Sequence, residues 1–204
     1  MSKSLKGLLV LALAGAAANS AMAADGKITF TGEIIASSCT LENDTSGGTV
    51  SGKNISVPLG KVSADALEGS ENGANITGAQ NINLSLKCGE AEGANTLVMT
   101  FQPATGSGVD TSNTKLLKLT GAGTTGVATG VGIGLFDSNN TLLDLNNPLT
   151  QIEGALTVTG DGGTPETFTG TATLNLRAAY VKSSVAAIGP GQANGDLPFV
   201  LTYK

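Results

Sequence analysis

Few residues in this chain are equipped for chemistry, and two cysteines lead them. Cys39 and Cys88 stand 49 positions apart, and the sequence contains no histidine. The lack of histidine excludes imidazole general bases, Ser-His-Asp triads and imidazole metal sites. A thiolate nucleophile or a zinc site would need the two cysteines free. The acidic residues are scattered, and no motif pairs them. The run GAGTTG at residues 121–126 fits G-x-G-x-x-G. A dinucleotide site needs that pattern between a strand and a helix N-terminus, so that amides and dipole meet the pyrophosphate. Here the following VATGVGIGLF reads as loop and strand, and the βαβ context is missing. The run Asp137-Ser138-Asn139-Asn140-Thr141 has the start of a calcium loop. It has Leu142 where the sixth loop position wants Gly and Pro148 where the twelfth wants Glu, so a turn is the better reading. The sequon-like contexts at Asn75-Ile76-Thr77 and Asn140-Thr141 also read as turns. The expectation is no enzyme, no cofactor and no metal.

The compartment decides how the cysteines are read. Lys3 and Lys6 precede an apolar run at residues 7–18, and Ala21-Met22-Ala23 forms an A-x-A cleavage site. Residues 1–23 therefore read as a secretory signal peptide, too short in its apolar part to span a bilayer. The mature chain would begin at Ala24 and hold 181 of the 204 residues, enough for one domain with a sizeable core. Loss of the two leader lysines takes the formal charge from −5 to −7. Such an acidic surface argues against nucleic acid and anionic membrane as partners. An exported chain meets an oxidising compartment, which favours a Cys39–Cys88 disulfide over two free buried thiols. Closing that loop would remove about 4 kcal/mol of unfolded-state freedom in the chain-entropy model.

The elements that must hold these residues are short strands. Gln80 to Cys88 (QNINLSLKC) alternates, with Ile82, Leu84 and Leu86 on one face. Residues 95–103, 115–120, 171–181 and 197–204 also read as β-like runs, separated by clusters such as Asp161-Gly162-Gly163. Residues 131–145 read as a hairpin turning at Asn139-Asn140, since Asn tolerates positive φ. Residues 64–78 form the one candidate for a short helix or long loop. The pattern is that of an all-β sandwich. An outer-membrane barrel would want aromatic girdles, and this chain has no Trp, two Tyr and five Phe.

Both ends of the mature chain carry a more specific pattern. One is GKITFTGEIIASSC at residues 26–39. The other is DLPFVLTYK at residues 196–204, preceded by Gly191, the fourteenth residue from the C-terminus. With Cys88 midway and Tyr203 penultimate, the chain resembles the type 1-like pilins of the chaperone–usher pathway. The resemblance implies an immunoglobulin-like β-sandwich lacking its seventh strand and completed by a donor strand. It implies residues 24–38 as a donor extension running into the first strand, and residues 39–204 as the pilin domain. Gly26, Ile28, Phe30 and Gly32 share one parity in that extension, as insertion into a neighbour's groove requires. Leu197, Phe199, Leu201 and Tyr203 share one parity near the C-terminus, and with Gly191 and Lys204 they are the implied chaperone and acceptor groove. The implied partners are a periplasmic pilus chaperone, an outer-membrane usher and neighbouring pilin subunits. The implied destination is a surface pilus reached through the periplasm, with the chain as a structural subunit or, alternatively, a minor tip or adaptor subunit with a receptor-binding role in adhesion. Only Ala24-Asp25 precede Gly26, fewer residues than in many relatives, and a small residue at that end points to slow strand exchange.

Overall fold

In the computed structural model the described residues are 39–42, 47–51, 53–89, 93–184 and 186–204. The expected signal peptide and the expected donor residues Gly26, Ile28, Phe30 and Gly32 lie outside them. Among the described residues nine strands follow in chain order: β1 (Cys39–Leu41), β2 (Thr49–Ser51), β3 (Asn54–Ser56), β4 (Gln80–Gly89), β5 (Thr96–Phe101), β6 (Val131–Phe136), β7 (Gln151–Gly160), β8 (Phe168–Lys182) and β9 (Phe199–Tyr203). Short 3-10 turns at Ala64–Leu67, Glu71–Gly73 and Pro103–Thr105 are the helical elements among the described residues.

Period-two alternation builds the centre. Ile82, Leu84, Leu86 and Cys88 of β4 are buried, while Asn81, Asn83 and Lys87 face out. Its partner β8 alternates in the same way as far as Leu176. The two strands pair antiparallel over ten residues, from Gln80↔Ala178 to Gly89↔Thr169. Around this ladder seven strands form one antiparallel sheet in the order β1-β4-β8-β7-β5-β9, with β6 also on β8; β2 and β3 form a separate hairpin.

That single path closes into two layers because β7 changes partner midway. Residues 151–155 pair with β5, and Leu156–Gly160 pair with β8. Beyond that point β8 is taken up by β6, over residues 177–182. Gly154 sits at the crossing. A Cβ there would lie 2.6 Å from the Thr173 carbonyl oxygen and 2.8 Å from Leu174 Cδ2, so the layers meet at a distance only glycine permits. The main core lies between them and draws Leu84 and Leu86 from β4, Leu97 and Met99 from β5, and Leu174 and Leu176 from β8.

At the far end of β8 both faces are covered. Every residue of β6 is buried, as are Ala178, Ala179, Val181 and Lys182. A second apolar cluster of Leu116, Phe136, Ala179 and Val181 lies here, packed under Ile76, Ala79 and Leu142. The segment from β3 to β4, expected as a short helix or long loop, is two 3-10 turns that wrap this end. Leu67 enters the main core, and fully buried Ser70 donates to the Leu67 carbonyl (2.7 Å) and accepts from the Lys182 amide (2.9 Å). The Lys182 ammonium, itself almost wholly buried, meets Glu68 at 2.5 Å and Glu71 at 3.3 Å. The hydrogen bond to Glu68, more than the loss of water, holds the Lys182 pKa above its usual value.

Other expectations fared unevenly. The hairpin after β6 turns where expected: Asn140 has φ 62°, and the Asp137 carboxylate accepts the amides of Asn139 and Thr141, each at 2.8 Å. Its return arm makes one bridge, Phe136↔Leu142, and then leaves the sheet. Residues 115–120 form no strand; Leu117 makes only isolated bridges to Val109 and Ile133. Residues 121–126 are a run of turns with Gly121, Gly123 and Gly126 at positive φ, and they lead into β6 rather than into a helix.

The turn from β7 to β8 is organised by one carboxylate. Asp161 accepts the Thr167 hydroxyl (2.5 Å) and the amides of Gly163 (2.9 Å) and Thr167 (3.0 Å). The Thr167 hydroxyl first, then the two amides, draw its pKa from 3.8 to about 2. A folded-state pKa below the unfolded one adds stability that is complete above 3.8 and lost as pH falls through about 2. Thermal midpoints followed downward from neutral pH should therefore drop more steeply through that window in the parent than in Asp161→Asn. Gly154→Val should lower stability by about 1–3 kcal/mol through overpacking at the crossing, read as a lower urea midpoint at unchanged slope.

Candidate functional site

Among the described residues, the edge of β9 is where the fold departs from a closed sandwich. β9 pairs with β5 over Leu97↔Tyr203 to Phe101↔Phe199. Lys204 donates to the Thr96 carbonyl (2.9 Å) and its carbonyl accepts from Thr96 (3.2 Å), while the Pro198 carbonyl accepts from Gln102 (2.8 Å). These contacts set the phase of the ladder. Lys204, Thr202, Val200 and Pro198 turn their backbone groups toward β5. By the alternation of antiparallel pairing, Phe199, Leu201 and Tyr203 turn their amides and carbonyls the other way. Among the described residues β9 has no second neighbour. Pro198, which has no amide hydrogen, stands just before the strand, where a missing donor costs least.

The side chains of the same residues point inward. Leu197, Phe199, Leu201 and Tyr203 are half-buried and pack against the main core, while Val200 and Thr202 are exposed. Of the expected groove residues, these four form one apolar row beside one row of backbone groups aimed away from β5. The opposite edge belongs to β1, which among the described residues pairs with β4 alone. Cys39 and Cys88 are direct partners in that ladder and form the expected disulfide, with Cys88 fully buried. Among the described residues β1 and β9 remain the two ends of the strand path, because β6 and the second half of β7 share one edge of β8.

Tyr203 ties the two edges together. Its hydroxyl donates to the Gly89 carbonyl at the end of β4 (3.0 Å) and lies 3.4 Å from Cys39 Sγ. Neither partner follows from local spacing, since they lie 114 and 164 residues away in the chain. Lys204 continues the ladder past β9. Its carbonyl oxygen also accepts from Asn95 (3.0 Å), and its ammonium reaches Glu153 of β7 at 2.6 Å. Both side chains of that pair are about half exposed, so the ion pair adds little stability. In register, Glu153 and Thr202 flank Val98 of β5, so the pair crosses the outer face of the strand between them.

Gly191 is placed elsewhere. It lies in the loop before β9 and packs flush on the backbone of residues 126–128, where a Cβ would come within 2.4 Å of the Ala128 amide nitrogen. Gln192 donates to the Gly126 carbonyl (2.8 Å), and Ala128 donates to that of Gln192 (2.9 Å). Its need for glycine is a close backbone approach, and the structure does not set it in the row formed by Leu197, Phe199, Leu201 and Tyr203. No cluster of three or more metal-ligating side chains occurs among the described residues.

Comparison with known proteins agrees on one group. The family described as fimbrial protein matches residues 28–204. The chain is 32% identical to the type-1 fimbrial protein subunit of Serratia marcescens, covering 100% of both chains. It is 30% identical to the probable major fimbrial subunit LpfA of Escherichia coli O157:H7, covering 100% of this chain and 98% of that one. In fold it is similar to a chain from the structure of a chaperone–usher pilus (TM-score 0.51, 19% identity, 88% of this chain and 95% of that chain). It is also similar to the P pilus rod subunit PapA (TM-score 0.50, 18% identity, 82% of this chain and 99% of that chain).

The Tyr203 contact gives a direct test of how far the two edges depend on each other. Tyr203→Phe keeps the ring in the core and removes only the hydroxyl, leaving the Gly89 carbonyl without that donor. Stability should fall by about 1 kcal/mol in urea titrations, with the Cys39–Cys88 bond intact by mass analysis. An unchanged midpoint would show that the hydroxyl contributes nothing to joining the edges.

Proposed function

The chain belongs to the fimbrial protein family, and from that membership we propose that it is a structural subunit of an adhesive surface pilus that polymerises by donor-strand exchange. One observation carries the reading: β9 presents a half-buried apolar row together with backbone groups turned away from β5. A strand edge of this kind is a template for another strand. The complementary strand is the segment around Gly26, Ile28, Phe30 and Gly32 of a neighbouring copy, whose alternation suits insertion into such an edge. Backbone pairing supplies the geometry, and burial of Ile28 and Phe30 supplies about 1.5–3 kcal/mol each.

The same edge needs protection before assembly. An unpaired apolar strand edge in the periplasm is prone to aggregation, so the reading includes a periplasmic chaperone that covers β9 and an outer-membrane usher at which the neighbour's segment replaces it. In this scheme residues 24–38 are the donor extension, residues 39–204 the acceptor domain, and residues 1–23 the export signal. The role is structural and involves no catalysis.

Donor and acceptor substitutions separate under this scheme. Phe30→Asp should leave a soluble chaperone complex in normal yield and abolish fibres, because an unpaired carboxylate in a neighbour's groove costs several kcal/mol at each junction. Leu201→Asp should lose the chaperone complex itself, because that side chain packs against the subunit's own core. Co-expression with the chaperone, followed by complex yield and electron microscopy, reads both. Normal fibres from Phe30→Asp, or equal loss of complex in the two variants, would overturn the donor-strand assignment.

A further inference from the structure

Arg177 is the one arginine in the chain, and it has no part in the open edge of β9. It stands half-buried in the outer row of β8. An arginine offers five N–H donors in a fixed fork. Its Nη1 donates to the side-chain carbonyl of Asn140, in the hairpin after β6. Its Nε is the one buried side-chain nitrogen or oxygen among the described residues without a hydrogen-bond partner. No carboxylate among those residues pairs with the charge either. The ion pairs there are made by Lys182 and Lys204, and Asp137 of the same hairpin turns its carboxylate to the amides of Asn139 and Thr141. Buried polar groups are satisfied almost everywhere in folded proteins, so this exception leaves donors and charge over for a partner from outside.

The neighbours select the ligand. In register Arg177 stands opposite Asn81 of β4, and Asn175 precedes it by two residues on the same face. Both asparagines are exposed. Cβ atoms of directly opposed residues lie about 5 Å apart, and same-face neighbours along a strand about 6.6 Å. The three side chains therefore cover the footprint of a single sugar ring. A guanidinium fork matches a carboxylate. A side-chain amide both donates and accepts, as ring hydroxyls require. Over the ten pairs of β4 with β8 neither strand carries Asp or Glu, although the whole chain has 16. A single anion is thus admitted locally, while the net formal charge of −5 repels polyanions such as nucleic acid. Asn140 holds the guanidinium in place beforehand, which lowers the ordering entropy of binding.

We propose that Arg177, Asn81 and Asn175 form a binding site for a carboxylated sugar, with the carboxylate on the guanidinium and ring hydroxyls on the amides. Sialic and uronic acids share that chemistry. The test is a saturation-transfer NMR titration of the purified exported chain with N-acetylneuraminate, glucuronate, glucose, acetate and inorganic phosphate. At least one acidic sugar should bind, and the one that binds identifies the source. Glucose and acetate should each bind at least about tenfold more weakly, since each presents only part of the recognised groups. Arg177→Gln should weaken the acidic sugar by about tenfold or more. Asn140→Gly should weaken it about threefold by releasing the guanidinium. Glycine keeps the φ of 62° at that turn, so the thermal midpoint should stay unchanged. Binding of neither acidic sugar, acetate or phosphate as tight as the sugar, or parent affinity in Arg177→Gln would overturn the proposal. Should Arg177→Gln not fold, parent affinity in Asn140→Gly overturns it.

Discussion

A strand satisfies its backbone by strand pairing only when it has a neighbour on each side, and among the described residues β9 has one. Most of the described architecture can be understood from that constraint. The chain ends in a strand whose side chains belong to the core and whose amides and carbonyls at Phe199, Leu201 and Tyr203 are turned away from β5. Folding alone cannot satisfy both demands. The apolar row draws β9 onto the domain, and the backbone row asks for a further strand. Among the described residues the domain is incomplete at this edge in a specific geometric sense, which is what the proposed strand exchange would complete.

The rest of the fold makes that edge rigid enough to be useful. The ten-residue β4–β8 ladder provides the longest pairing of the centre, and β7 carries the chain from one layer to the other at Gly154. The 3-10 segment closes the end of β8 through Ser70 and Lys182. β9 is thus held by β5, by the core beneath it and by the Tyr203 hydroxyl. Its register is set before any partner arrives, which lowers the ordering entropy that strand addition must overcome.

Where one face is buried and the other wet, the sequence could be read. β4 and most of β8 alternate because a core lies on one side only, and β9 alternates for the same reason. Where packing occurs on both sides the signal changes. Leu116 and Leu117 are both buried, in different clusters, so residues 115–120 looked like a strand although the backbone has no ladder partner there. β7 carried Ile152, Leu156 and Val158 at even spacing, but Gly154 interrupted the row at the point where the layers press together. The contacts of Lys182 with Glu68 and of Tyr203 with Gly89 join residues 114 positions apart, and no local pattern announces them. Gly191 was marked by its place in a family pattern, whereas its physical need for glycine arises from the backbone of residues 126–128.

The Cys39–Cys88 bond has a mechanical meaning besides its effect on folding. Cys39 opens the three-residue β1, the weakest ladder in the main sheet. Tension entering the domain along the chain before Cys39 would otherwise peel β1 from β4 one pair at a time. The covalent link passes that load directly into Cys88, and from there into β4, which is held to β8 by ten pairs. A subunit built this way bears tension through its longest ladder, and the short first strand acts as a lead into that ladder rather than as the part that yields.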